Sequence, residues 1–137
     1  MDALMDALSG LLLFVIYFGI GLALLLAFKY LYAMVTPYDE WALVKENNVA
    51  AAAAIVGAAV GFSLALGSAA SNSVSIIDFC IWAVVALIAQ LLAFAIIRVL
   101  FLPKIVQRIK DGETAAGVAL GGMSVAVGIL HAACMTY

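Results

Sequence analysis

The sequence predicts an all-α membrane protein with four transmembrane helices, and three observations carry that prediction. Hydrophobic residues fill 69% of the 137 positions and charged residues only 10%, against roughly 45–50% and about 25% in soluble domains. Four uncharged apolar runs, 11–28, 49–67, 79–97 and 115–130, each approach the ~20 residues a helix needs to cross a ~30 Å hydrocarbon core. The runs are apolar on every face, as lipid-embedded helices are, whereas a transmembrane strand alternates polarity over about ten residues.

The first run resembles a signal peptide in length, but Asp2 and Asp6 precede it where a basic region belongs, and no clean cleavage motif follows Lys29–Tyr32. It is therefore a span. All six basic residues cluster around two loops: Lys29 and Lys45 flank 34–47, and Arg98, Lys104, Arg108 and Lys110 flank 102–113. The positive-inside rule places both loops in the cytoplasm. Both termini and the loop 68–77 then face the other side, where the only charges are Asp2, Asp6 and Asp78. Lys29 and Arg98, near the cytoplasmic ends of their spans, can snorkel to the interface.

Each basic loop carries helix signals. Thr36-Pro37-Tyr38-Asp39 offers an N-cap, a proline at the first helical position and an acid at the third, with Glu40 adding to the favourable dipole interaction. This predicts a short interfacial helix from Pro37 to about Glu46, with Tyr38 and Trp41 at headgroup depth. In the second loop Ile105, Val106 and Ile109 share one helical face, while Lys104 and Arg108 share another. That pattern suits a helix lying on an anionic leaflet or docking a cytoplasmic partner, and equally a basic loop that only sets topology.

Shifting the chain by 65 residues aligns Phe14-Val15-Ile16-Tyr17 with Phe79-Cys80-Ile81-Trp82, and Lys45-Glu46 with Lys110-Asp111. The even-numbered spans then match through Ala50/Ala115, Ala51/Ala116, Ala54/Ala119, Gly57/Gly122 and Val60/Val125. The reading is one transmembrane domain made of two tandem two-helix repeats, about 9–70 and 74–137. Gly57 with Gly61, and Gly117 with Gly121, form small-xxx-small pairs among alanines. In lipid, where apolar surface alone does not drive helices together, such faces supply close packing. The second and fourth spans are thus expected at the centre and the first and third outside.

Polar residues nominate three sites. Gln90, deep in the third span, must face protein, water or a partner chain; with Ser63 and Ser124 it is a candidate pore lining or interhelical contact. Glu46, Asn47, Asn48, Asp111, Glu113 and Thr114 stand before the second and fourth spans, as helix caps or as the mouth of a cytoplasmic vestibule. Cys80 and Cys134 have a similar depth, with His131 nearby; packing as free thiols, a disulfide, and a soft-metal contact are the three alternatives.

Other functions are excluded by what the chain lacks. A formal net charge of −2 is not that of a basic nucleic-acid binder. Two cysteines cannot build a disulfide scaffold, and one histidine leaves no histidine-rich metal site. No Ser-His-Asp set, intramembrane carboxylate pair or phosphate loop is present, so neither an enzyme nor a cofactor is expected.

The strings Thr36-Pro37-Tyr38-Asp39-Glu40-Trp41, Asn47-Asn48-Val49-Ala50-Ala51, Val74-Ser75-Ile76-Ile77-Asp78, Gln90-Leu91-Leu92, Thr114-Ala115-Ala116-Gly117 and Ala132-Ala133-Cys134-Met135-Thr136, in this order, resemble the DUF350 (UPF0719) family of YjfL-like bacterial inner-membrane proteins. The resemblance spans nearly the whole chain, with His131 standing where the family pattern has an asparagine. It implies a bacterial cytoplasmic-membrane address and four spans, links to envelope-stress and membrane-maintenance systems as partners, and no catalytic residues. Two functions compete: a small homo-oligomeric channel for ions or small solutes, and a non-conducting scaffold or regulator that docks partners through Trp41, Lys104, Arg108 and Lys110.

Overall fold

Three short polar side chains start helices in the computed structural model, which describes residues 1–35, 39–101 and 104–135, with the side chains of Val35, Arg98 and Phe101 left aside. The Asp39 carboxylate accepts from the Ala42 amide at 3.2 Å, Asn48 Oδ1 from Ala51 at 3.0 Å, and Ser75 Oγ from Asp78 at 3.1 Å. Each satisfies one amide that a helix start would leave orphaned. The helices are α1 (Asp2–Val35), α2 (Glu40–Lys45), α3 (Val49–Asn72), α4 (Ile76–Ile96), α5 (Ile105–Lys110) and α6 (Thr114–Cys134), with a π turn over Ile97–Phe101 extending α4. Helices α1, α3, α4 and α6 are long and apolar enough to cross a membrane.

Two boundaries differ from expectation. The first helix has 34 residues, about 51 Å at ~1.5 Å per residue. A hydropathy run marks where lipid begins, whereas a helix ends only where its backbone finds better partners, and residues 2–10 contain no proline. In the first basic loop the cap is Asp39 and the helix starts at Glu40. The cap predicted at Thr36, and the places predicted for Pro37 and Tyr38, lie outside the described residues.

The closest packing is between α3 and α6, which run parallel. Their contacts advance together along both chains: Ala50 meets Gly117, Gly57 meets Gly121, and Gly61 meets Gly128. Ser68 Oγ donates to the Ala132 carbonyl at 3.1 Å further on. A side chain at Gly57, Gly61, Gly117, Gly121 or Gly128 would fall on backbone atoms of the opposite helix, so dispersion contact between two backbones holds this seam. Both predicted glycine pairs act here within one chain.

The expected ranking of helices needs correction. In α3, 56% of the most apolar stretch is buried, against 33% in α4, 28% in α6 and 6% in α1. Helix α3 alone is central, because α1 and α4 both pack on it while α6 leaves one face uncovered. Helix α1 joins through an aromatic ladder: Tyr17 on Phe79 at 5.3 Å, Phe28 on Phe62 at 4.7 Å, and Tyr32 on Phe94 at 5.6 Å.

The two short helices have matching exits. Asn47 and Gly112 adopt left-handed φ values of 66° and 78°. The Asn48 amide donates to Leu43 O at 2.9 Å, and the Glu113 amide to Arg108 O at 3.0 Å. Ile105 and Ile109 are fully buried, so the apolar face of α5 rests on protein and not on a lipid leaflet.

Candidate functional site

At mid-depth α4 carries Gln90 into the α3/α6 seam, where the side chain is 2% exposed. Its Nε2 donates to the Ser124 carbonyl at 3.0 Å, which a helical residue can share only on the face turned to its neighbour. Ser124 Oγ donates to Leu120 O, one turn back, at 3.0 Å. Gly61 leaves room for the amide: a methyl there would meet both the Ser124 carbonyl and Gln90 Nε2. Gln90 Oε1 has no hydrogen-bond partner among the described residues. Ser63, the third nominated residue, is exposed and lines an apolar cavity of about 410 Å³ between α1 and α3. The structure thus joins Gln90 to Ser124 and puts Ser63 elsewhere. The joined pair contains no group that titrates near neutrality, so its chemistry is hydrogen bonding.

The end of the bundle that carries α2 and α5, here the basic end, holds the nominated vestibule residues. Asn48 does two jobs: its Oδ1 caps α3 and its Nδ2 donates to Ile109 O at 2.8 Å, tying α3 to α5. Asp111 accepts from Gln107 at 2.9 Å. Glu113 occupies the cap position of α6 without a capping bond and pairs with Arg108 at 3.0 Å. Thr114 is the first residue of α6 and not its cap, which corrects its predicted role. Glu46 and Asn47 are exposed in the turn before α3. Lys104 and Lys110 are also exposed. Trp41 receives the Lys29 ammonium over its ring at 4.7 Å, the cation–π arrangement expected of a snorkelling lysine beside an interfacial tryptophan. Arg98 belongs to the π turn, and its predicted snorkelling lies outside the described side chains.

At the opposite end Cys80 and Cys134 are both free thiols, half-buried and exposed respectively, so the disulfide alternative is not realised in this structure. His131 Nε2 is buried without a partner among the described residues. Those residues contain no group of three or more metal-binding side chains.

Four participants escaped the sequence reading. Tyr32 and Glu40 are almost fully buried, Ser68 crosslinks α3 to α6, and Gly128 completes the glycine seam. Only Gly128 carried a signal: it stands seven residues after Gly121, on the same helical face.

Four apolar helices long enough to cross a bilayer, closed by glycine contacts and one buried amide, define an integral membrane protein. The family model described as Domain of Unknown Function (DUF350) matches residues 6–135. Similarity to the UPF0719 inner membrane protein YjfL of Escherichia coli strain K12 is 44% identity over 97% of this chain and all of that protein. The same figures hold for the protein of that name from Escherichia coli O157:H7. No solved structure matches. The chain belongs to the DUF350 family and is an integral inner-membrane protein.

Proposed function

We propose that this protein is a non-catalytic, non-conducting membrane scaffold whose basic end lies in the cytoplasm and docks partner proteins. The observation that carries this reading is the fate of the polar groups at membrane depth. Gln90 Nε2 and the Ser124 hydroxyl are both spent on backbone carbonyls inside the chain, while the cavities that open between helices are apolar. A water-filled path needs polar groups facing it.

A periplasmic location of both termini is supported by the basic residues of the loops and by the four-span count. A tandem duplication is supported by helix starts 65 residues apart, Glu40 with Ile105 and Val49 with Thr114, and by the paired left-handed residues Asn47 and Gly112. Homo-oligomerisation is supported by α1, which leaves most of its length for neighbours. The partners proposed are envelope-stress or membrane-maintenance proteins, and the docking surface is Trp41 with Lys104 and Lys110. Arg108 contributes less, since Glu113 already holds it.

The test is recovery of crosslinked partners from native membranes. Lys104→Glu with Lys110→Glu is expected to abolish recovery while the purified variant unfolds at the wild-type temperature; unchanged recovery would count against docking at this surface. Liposomes containing the protein are expected to hold an ion gradient. Dissipation that Gln90→Leu alters would replace the scaffold reading with the channel.

A further inference from the structure

Helix α1 outreaches the bundle at the end opposite the basic loops. Phe14 lines the 410 Å³ cavity together with Ala70, and Tyr17 stacks on Phe79, so position 14 is level with the last turn of α3 and the first of α4. Helix α3 ends at Asn72 and α4 begins at Ile76. Residues 2–13 therefore stand beyond both, over about 18 Å at ~1.5 Å per residue, and every one of them is exposed. Ser71, Asn72, Ser73, Ser75 and Asp78 gather where α3 passes to α4 and mark the water boundary at this end. The headgroup layer occupies roughly 5–8 Å on each face. The first two turns of α1 thus rise past it into water, carrying Leu4, Met5 and Leu8 exposed.

Their arrangement is that of a helix with a partner. Leu4, Leu8, Leu11, Val15, Phe18 and Leu22 follow one another at alternating steps of four and three, the spacing of a two-stranded seam, and all six are between 46% and 58% exposed. Asp2, Asp6, Ser9 and Gly10 lie on the opposite side of the helix. The bundle takes another face of α1, through Tyr17, Leu24 and Phe28. Helical turns in water owe most of their stability to packing of an apolar face, and the chain itself leaves this one bare. A helix lying flat on the leaflet would carry lysines and arginines on its polar face, whereas this one carries two acids. Helix α1 also runs unbroken from Asp2 to Val35, with no bend to lay it down.

We infer that the stripe from Leu4 to Leu22 pairs with the same stripe of a second copy of the chain, as a parallel α1–α1 dimer. A second copy inserted in the same direction presents this stripe at the same height, so a two-fold axis along the membrane normal sets each residue against its own counterpart. Asp2 and Asp6 of both chains then point away from the seam into water, whereas pairing through their face would set carboxylate against carboxylate. The dimer deepens the homo-oligomerisation proposed above and rests on that reading, but not on docking at the basic end.

Cysteine crosslinking in native membranes tests it, on the full chain with Cys80→Ala and Cys134→Ala. Leu4→Cys, Leu8→Cys and Leu11→Cys are expected to oxidise to a disulfide-linked dimer, while Asp6→Cys and Ser9→Cys stay single chains. Equal crosslinking on both faces would report random collision and overturn the seam. So would an adduct of Leu8→Cys with a different protein. Absence of crosslinking overturns it too, and protection of the stripe from a membrane-impermeant maleimide would then give that face to lipid. Single-molecule photobleaching of the fluorescently tagged chain in vesicles is expected to show pairs for the wild type and single chains for Leu8→Glu, at unchanged helix content. Pairs that persist in Leu8→Glu would overturn this seam and leave homo-oligomerisation to another face; single chains in the wild type would remove both.

Discussion

Gln90 shows how a single buried amide is weighed. Its one hydrogen bond, to Ser124 O, is worth roughly 0.6–2 kcal/mol between helices in lipid. The unmet Oε1 beside it carries a desolvation cost of about 1–3 kcal/mol. The two nearly cancel, so Gln90→Leu is expected to shift stability by less than ~1 kcal/mol, read as the midpoint of thermal unfolding in detergent. Asn48 is the opposite case, because both halves of its amide are used. Asn48→Ala loses a cap and a crosslink and is expected to cost about 1–3 kcal/mol in the same measurement. Both residues stood out in the sequence, since a polar side chain in or beside an apolar run must be satisfied somewhere. Tyr32 did not stand out: in a run that is apolar all round, no periodicity says which face another helix will cover.

Among elements, the α3/α6 seam separates glycines that look alike on paper. Gly121 touches the backbone of Ala53 and Ala54, whereas a methyl at the adjacent Gly122 would meet nothing within 4 Å. Gly121→Ala is therefore expected to push the helices apart and cost at least ~1–3 kcal/mol by overpacking. Gly122→Ala is expected to be neutral or to gain up to about 1 kcal/mol from helix propensity. Equal unfolding midpoints for the two variants would count against the register. The shift of 65 residues paired Gly57 with Gly122, but the partner Gly57 touches is Gly121. A repeat relates equivalent positions, while contact across a pseudo-axis depends on how far each helix is rotated. In the turns, Gly112 at φ +78° is the glycine a left-handed exit calls for, and Gly112→Val is expected to cost about 1–2 kcal/mol. Helix α5 illustrates a pattern read correctly and placed wrongly. Its apolar face was legible, yet Ile109 packs on protein because Asn48 anchors α5 from the neighbouring helix.

Over the whole molecule, the number of spans has one direct consequence. Four crossings return the chain to its starting face, so a membrane-impermeant thiol reagent applied to right-side-out vesicles is expected to label Ser9→Cys and Cys134 alike, and to spare Lys104→Cys. Labelling of Ser9→Cys and Lys104→Cys together would overturn the orientation. The scaffold is proposed over the channel that the polar residues suggested in one dimension because Ser63 lines the α1/α3 cavity while Gln90 donates to the Ser124 carbonyl inside the chain. Composition by itself determined the class, the span count and the approximate ends of three helices, because the cost of exposing backbone or charge to hydrocarbon is large and local in sequence. Which glycines touch, which tyrosine is buried, and whether an apolar face meets lipid or protein were decided only by the tertiary structure. Those outcomes depend on the rotation and tilt of one helix against another, a degree of freedom to which a uniformly apolar run is indifferent.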